Sequence, residues 1–465
     1  MKLIRKDVAY LAIPILTEQV FVMSLGMVNT IMAGHIGKEA VSAIGMVDSI
    51  NNIFIAFFSA LAVGGTVVVA QYIGQQNNKL ANESMKQALY SGLIISFIVT
   101  ISIWIFRKPI ISTLFGKAEG KVINNAYIYL GITLLTYPMV TLNLIANGVL
   151  RGSGDTKTPM KITMFMNIIN VILSYPLIYG LYIKNDHFNI NIPSMGIKGA
   201  ALGIAIARVT GAIILLIVLF RGTRIIKLTK VFKFKFNKEL LKPIFGVGVP
   251  ASVESLLFNG GKLITQIFIV SMGTVSIASN AIGNSIANML NIPGNSLSIA
   301  AIAIVGQYMG RGDSNEAEKC LSYLTKASTV CLVILGALSA PFSRILASLY
   351  TSNKDIILLT SNLLKVNALF IPLWSVSFVL PAGLKAAGDA KYTMVTSIIG
   401  MWVFRITMGY VLGIPLKMGL IGVWLGMYID WFVRGILYYL RFRNGKWKGF
   451  VLIKSDDSCK LERGI

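Results

Sequence analysis

Two stretches of the chain, 236 positions apart, carry one layout. Residues 14–37 read PILTEQVFVMSLGMVNTIMAGHIG, and residues 250–273 read PASVESLLFNGGKLITQIFIVSMG. Pro14 answers Pro250, Glu18 answers Glu254 and Gly37 answers Gly273. The match continues downstream, with AQYIG at 70–74 against GQYMG at 306–310, and Asp48-Ser49-Ile50 against Asn284-Ser285-Ile286. With the offset drifting to 234, Pro138 meets Pro372, and LRGSGD at 150–155 meets LKAAGD at 384–389. Gly196, Gly199 and Gly203 meet Gly419, Gly422 and Gly426. The chain is therefore a duplication, and any fold it adopts must accept two copies of one unit.

Each unit contains six apolar runs of membrane-spanning length. A spanning helix needs about 20 largely apolar residues, and twelve runs qualify: 8–33, 51–73, 88–106, 126–150, 160–182, 197–220, 244–270, 286–309, 325–349, 359–384, 393–414 and 419–440. Breaks are expected at Gly64-Gly65, Pro138, Pro176, Gly260-Gly261, Pro293 and Pro381. The chain is 55% hydrophobic and 13% charged, against about 25% charged in soluble domains. That excludes a water-soluble fold. The expected class is an all-α integral membrane protein, with twelve transmembrane helices in two pseudo-symmetric six-helix lobes. Six is even, so both copies cross in the same sense, about an axis along the membrane normal with a substrate path between them. The expected boundaries are an N-terminal lobe over 1–220, a basic linker over 221–243, a C-terminal lobe over 244–441 and a tail over 442–465.

The net charge of +24 would raise nucleic acid as a partner in a soluble protein. Here the bases gather in short loops, which reads as topology and contact with anionic lipid, with no nucleic acid. Lys2, Arg5, Lys6, Lys79, Lys86, Arg151, Lys157, Lys161, Arg441, Arg443, Lys446 and Lys448 fall on one side of an even-numbered topology. So do Arg221, Arg224, Lys227, Lys230, Lys233, Lys235, Lys238 and Lys242 of the linker. Both termini are therefore expected in the cytoplasm of a multi-pass cell-membrane protein; Arg107, Lys108, Lys117 and Lys121 oppose that orientation. The linker's alternating TKVFKFKFNKEL either lies on an anionic leaflet or is solvated. The MKLIRK start resembles a signal peptide, but the following run is too long and contains Glu18, so it reads as an uncleaved first span. Cys320, Cys331 and Cys459 show no metal-type spacing, and the histidines, His35 and His187, sit in loops. No metal or cofactor is expected, and a monomer is.

Taken together, the P-x3-E first span, QYIG and QYMG, LRGSGDTKTPM, AAGDAKY and RFRNGKW resemble the multidrug and toxic compound extrusion transporters of the bacterial NorM-like branch. The resemblance covers nearly the whole chain. It implies two six-helix lobes around a central cleft, and export of small organic cations or drugs in exchange for H+ or Na+. The sequence departs from the family in three places. Val28-Asn29-Thr30 stands where members carry an aspartate, no acid lies between Lys365 and Lys385, and Phe258 stands where sodium-coupled relatives carry a glutamate. The coupling ion is therefore not inherited from the resemblance.

A charge at bilayer depth costs about 2.5–3.5 kcal/mol or more, so each is a functional candidate in need of a partner. The candidates are Glu18, Arg208, Glu254, Lys262, Arg405, Asp430 and Arg434. Glu18 and Glu254 are expected to face the cleft, with Asn29 on the Glu18 face three turns on. The structural alternative pairs Glu254 with Lys262 and sets Arg208 against Glu18. Asp430 and Arg434, at i and i+4, suit a structural or gating pair that Arg405 can join. Asn170 and Ser174 offer polar groups on one helix side, where Asn170 resembles a family position, and Gln266 follows Lys262 by one turn. The mechanism expected is alternating access, with carboxylates binding either the cation or its counter-ion. A lipid-linked oligosaccharide flippase of the same superfamily is the rival, favoured by the intramembrane bases. No P-loop, zinc-ligand set or His–acid motif suggests an enzyme.

Overall fold

The computed structural model describes residues 2–34, 36–116, 118–185, 188–223, 225–229, 235–450 and 452–453. The N-terminal half holds α1 (Lys2–Gly34), α2 (Lys38–Gly74), α3 (Asn78–Phe115), α4 (Gly120–Leu134), α5 (Tyr137–Gly152), α6 (Lys157–Tyr179) and α7 (Ile197–Arg221). The C-terminal half holds α8 (Lys238–Ser271), α9 (Thr274–Leu290), α10 (Ile292–Gly310), α11 (Ser314–Ser348), α12 (Lys354–Phe370), α13 (Pro372–Ala387), α14 (Ala390–Ile399), α15 (Thr407–Gly413) and α16 (Gly419–Arg443). A π-helical turn, Gly400–Ile406, joins α14 to α15 within one crossing. Nine continuous crossings and three bent pairs among the described residues make the expected twelve, six to a lobe. The expectations at His35, Lys117, His187, Arg224, Lys230, Lys233 and Cys459 lie outside the described residues.

The three bends fall between α4 and α5 (48°), α9 and α10 (52°), and α12 and α13 (58°). Each is followed at once by a proline, Pro138, Pro293 or Pro372, in the first turn of the next helix. Proline suits that position but leaves a carbonyl of the preceding helix without its amide, so the axis turns there. Pro138 and Pro372 are repeat partners, so the fourth and tenth crossings bend alike. The equivalent of Pro293 is Phe57, and α2 runs unbroken. Contrary to expectation, no break occurs at Gly64-Gly65, Pro176, Gly260-Gly261 or Pro381; each lies within a continuous helix. The fifth crossing also ends earlier than expected. Gly180, with φ +83°, reverses the chain into an antiparallel ribbon of β1 (Leu181–Asn185) and β2 (Phe188–Ile192), pairing Leu181 with Ile192.

Gly64 serves close approach rather than a break. A Cβ there would stand 2.2 Å from the Ile244 carbonyl oxygen of α8. Nearer the helix ends, a Cβ on Gly74 would meet the Gln307 carbonyl at 2.1 Å, and one on its repeat partner Gly310 the Gln71 carbonyl at 2.0 Å. The lobes thus meet backbone to backbone along α2, α8 and α10. The side chain of Gln71 donates to the Ala386 carbonyl of the C-terminal lobe (2.8 Å), and that of Gln307 to the Gly152 carbonyl of the N-terminal lobe (2.8 Å). Donors and acceptors are both related by the repeat. All four lie at the end of the bundle that begins α1 and bears the basic loops.

The described residues between the lobes are anchored at several points. Leu228 N–H donates to the Leu219 carbonyl, Asn82 accepts from Lys227 N–H, and Gln87 donates to the Lys235 carbonyl. Ile226 and Leu228 are buried in the N-terminal core. Helix α8 begins at Lys238, where the Asn237 side chain accepts from Glu239 N–H.

Gly64→Ala is expected to destabilise the folded chain by about 1–3 kcal/mol through overpacking against the α8 backbone. Gly260→Ala, where a Cβ meets nothing within 4 Å, should be neutral or better. Thermal denaturation in detergent compares the two.

Candidate functional site

Glu18 and Glu254 each lie sixteen residues from the start of their helices, at one depth in each lobe. Glu18 is 3% exposed. Arg151 of α5 places Nη2 2.7 Å from both its carboxylate oxygens, and Thr163 of α6 donates to Oε1 at 2.9 Å. In the other lobe, Lys385 of α13 stands 2.8 Å from Glu254 Oε2. That contact is an ion pair without a well-directed hydrogen bond on Oε2, so it holds less firmly than the Arg151 pair, in which Nη2 hydrogen-bonds both carboxylate oxygens. Arg151 and Lys385 are themselves repeat partners. Each pair therefore ties the first crossing of its lobe to the fourth, and both first crossings carry a proline, Pro14 or Pro250, one turn before the acid.

These partners correct the expected ones. Glu254 pairs with Lys385 and not Lys262. Arg208 serves Thr136 and not Glu18, donating from Nη1 to Thr136 Oγ1 at 2.9 Å. Thr136 sits in the α4–α5 bend, so the guanidinium fills the space that the bend opens. Arg208 also attracts Asp48 of α2, to which Asn51 donates at 3.5 Å; Asn51 in turn accepts from the Tyr137 hydroxyl at 2.8 Å. Asn29 is half-buried and lies about 16 Å along α1 from Glu18 at 1.5 Å per residue, too far to share a ligand with it. Ser174 donates to Asn170 at 2.8 Å, both buried. A Cβ on Gly203 of α7 would stand 2.1 Å from Ser174 Oγ, so this pair packs between α6 and α7.

In the C-terminal lobe Glu254, Phe258, Lys262 and Gln266 follow one another at four-residue spacing along α8. Gln266 accepts from Asn280 of α9 (3.1 Å), whose carbonyl accepts from Trp424 of α16 (2.9 Å). Asp430 and Arg434 form the expected pair, Nε to Oδ1 at 2.7 Å and Nη2 to Oδ2 at 2.9 Å, with both residues buried. Gly400 makes the space, since a Cβ there would stand 2.2 Å from Asp430 Oδ1. The π turn that opens with Gly400 carries Arg405 towards Asp430 and the Phe258 ring. Such turns interrupt a helix where a side chain must be re-aimed.

The chain matches the MatE family profile twice, over residues 14–176 and 250–411, each match opening on one of the paired prolines. The chain belongs to the MatE family. It is 28% identical to the probable multidrug resistance protein NorM of Thermotoga maritima, covering 96% of this chain and 93% of that one. It is 23% identical to the probable multidrug resistance protein YoeA of Bacillus subtilis, over 93% and 92%. An outward-facing multidrug resistance MATE family transporter of the MOP superfamily superimposes with a TM-score of 0.86, at 21% identity over 95% of each chain. A MOP superfamily transporter from Pyrococcus furiosus, described by a reversed polarity of its binding pocket, does so with 0.84 at 22% over 95% of each. These likenesses confirm the fold. The MatE family is one of multidrug efflux transporters, not enzymes.

In the sequence of this MatE chain Arg151 stands among the loop bases, and Lys385 marks only the end of a stretch without acids. The signal that finds them is the duplication, because two acids matched between lobes require two matched bases. Asp48, Thr163, Gln71 and Gln307 were likewise visible only as repeat marks or not at all. Removing one partner of a buried ion pair costs about 3–5 kcal/mol. Arg151→Ala is therefore expected to destabilise the protein severely, and Glu18→Gln added to Arg151→Met to recover most of the loss. A double-mutant cycle of melting temperatures in detergent checks both.

Proposed function

We propose that this chain is a secondary active exporter of organic compounds, driven by H+ or Na+ and working by alternating access of its two lobes. The observation that carries the reading is the reciprocal pair Gln71 to Ala386 and Gln307 to Gly152, with the glycine contacts beside it. Two rigid lobes joined by two equivalent side-chain bonds and close van der Waals contact can part there without unfolding either. That seam lies at the basic end, which the distribution of Lys and Arg assigns to the cytoplasm, with both termini. In this reading the seam closes the chain towards the cytoplasm, and export requires it to open.

Glu18 and Glu254 supply the coupling in this reading. Each is already held by a base, so each answers the driving ion first. A proton on Glu18 cancels the attraction that holds Arg151 and frees α1 from α5. Helix α1 can then bend at Pro14, where a backbone hydrogen bond is missing. Sodium at the same carboxylate competes with Arg151 to the same effect. The cargo that the resemblance implies is a small organic cation, for which the N-terminal lobe offers Asp48 and Asn29, apart from the Glu18 coupling site. Anionic lipid would meet the basic loops.

The test is export of a fluorescent lipophilic cation from vesicles holding the purified chain, under an imposed proton gradient or an imposed sodium gradient. One gradient should drive transport. Glu18→Gln and Glu254→Gln should each lower the driven rate by about tenfold or more per folded molecule in the vesicles. Full export by both variants would reject the coupling role.

A further inference from the structure

The C-terminal lobe carries a surplus of positive charge gathered around one ring. Lys262 Nζ lies 5.1 Å from the Phe258 centroid, Arg405 Cζ 5.8 Å and Arg434 Cζ 5.3 Å. Two carboxylates are near and both are engaged: Asp430 pairs with Arg434 while attracting Arg405, and Glu254 pairs with Lys385. Neither Lys262 nor Arg405 forms an ion pair among the described residues. As whole residues, Lys262 is exposed and Arg405 half-buried. Cations this close repel one another, and more strongly between helices at bilayer depth than in water. A negative charge arriving between them relieves that repulsion. The ring beneath them is extended, since Phe258 meets Phe378 edge to face at 6.5 Å and Phe378 stacks on Trp374 at 4.6 Å. The repeat partners of Phe258 and Lys262 are Val22 and Gly26, so the N-terminal lobe has no equivalent.

We propose that Lys262 and Arg405 form an anion-binding site in the C-terminal lobe, and that its ligand is an organic compound bearing a sulfonate, phosphate or carboxylate on an aromatic body. The acidic group bridges the ammonium and the guanidinium, and the aromatic body lies on Phe258 and Phe378. The proposal rests on reading the chain as an exporter and narrows its cargo. A cationic group on the same compound is repelled from this lobe and faces the N-terminal one.

The test is calorimetric binding to the intact chain in phosphatidylcholine nanodiscs, using naphthalene-1-sulfonate and, as a matched cation, 1-naphthylmethylammonium. The sulfonate is expected to bind, and Lys262→Gln and Arg405→Gln each to weaken it by about tenfold or more. Lys262→Arg should retain it, and neither glutamine variant should weaken the cation. No sulfonate binding to the unaltered chain would overturn the proposal. So would unchanged affinity in a monodisperse Lys262→Gln, Arg405→Gln double variant. Phosphatidylglycerol added to the nanodiscs separates the sources of the anion: displacement of the sulfonate assigns the site to a lipid headgroup, its persistence to a soluble compound, and either upholds the site. Because no transport is measured, a chain that binds the sulfonate but exports nothing rejects the exporter reading alone.

Discussion

A charge at bilayer depth has no bulk water to turn to, and its alternatives are an opposite charge or a wet path to solvent. That constraint sorts the intramembrane residues of this chain. Glu18 with Arg151, Glu254 with Lys385, and Asp430 with Arg434 satisfy it within their own lobes. Arg208 meets it with a threonine in a helix bend and the field of Asp48. Lys262 forms no ion pair among the described residues, and Arg405 has only the field of Asp430, which is already paired with Arg434. Matched charges hold each lobe together, and the unmatched ones are the basis of the anion site proposed above.

The two kinds of contact in the bundle also divide its labour. Within a lobe, buried ion pairs fasten the first crossing to the fourth, and breaking one leaves a charge stranded. Between lobes, no ion pair forms among the described residues; the contacts are apolar packing, close glycine backbones and a few side-chain hydrogen bonds such as those of Gln71, Gln307 and Ser252, which water can replace. The alternating access proposed for this chain is better served by the second kind. Duplication supplies both in pairs, so the closing bonds act together from the two sides of one axis.

The sequence was a good guide to crossings and bends where the local chemistry decides. Apolar length marked the twelve crossings, and proline at the start of a half-helix marked two bends directly, Pro138 and Pro293. It misled at Gly64-Gly65, because a glycine that admits another helix looks the same as one that breaks its own. It also misled on partners. Arg151 looked like a loop charge because it lies near a helix end, yet a long side chain near that end reaches Glu18 in a neighbouring helix. Asn170 and Ser174 share a helix face with the required spacing, but the face turns towards Gly203 of α7, which only the rotation of α6 in the bundle could decide.

What the sequence determined alone was whatever needs one helix at a time, or the repeat: twelve crossings, two equivalent lobes and the presence of acids and bases at matching depths. These follow from hydrophobic length and from identity between copies, which do not depend on how helices pack. Tertiary structure decided which base answers which acid, where the lobes touch, and which cations remain unanswered. Those depend on helix rotation and on approach distances set by glycine, and a difference of one residue type at Gly64, Gly74 or Gly400 is enough to change which side chains meet.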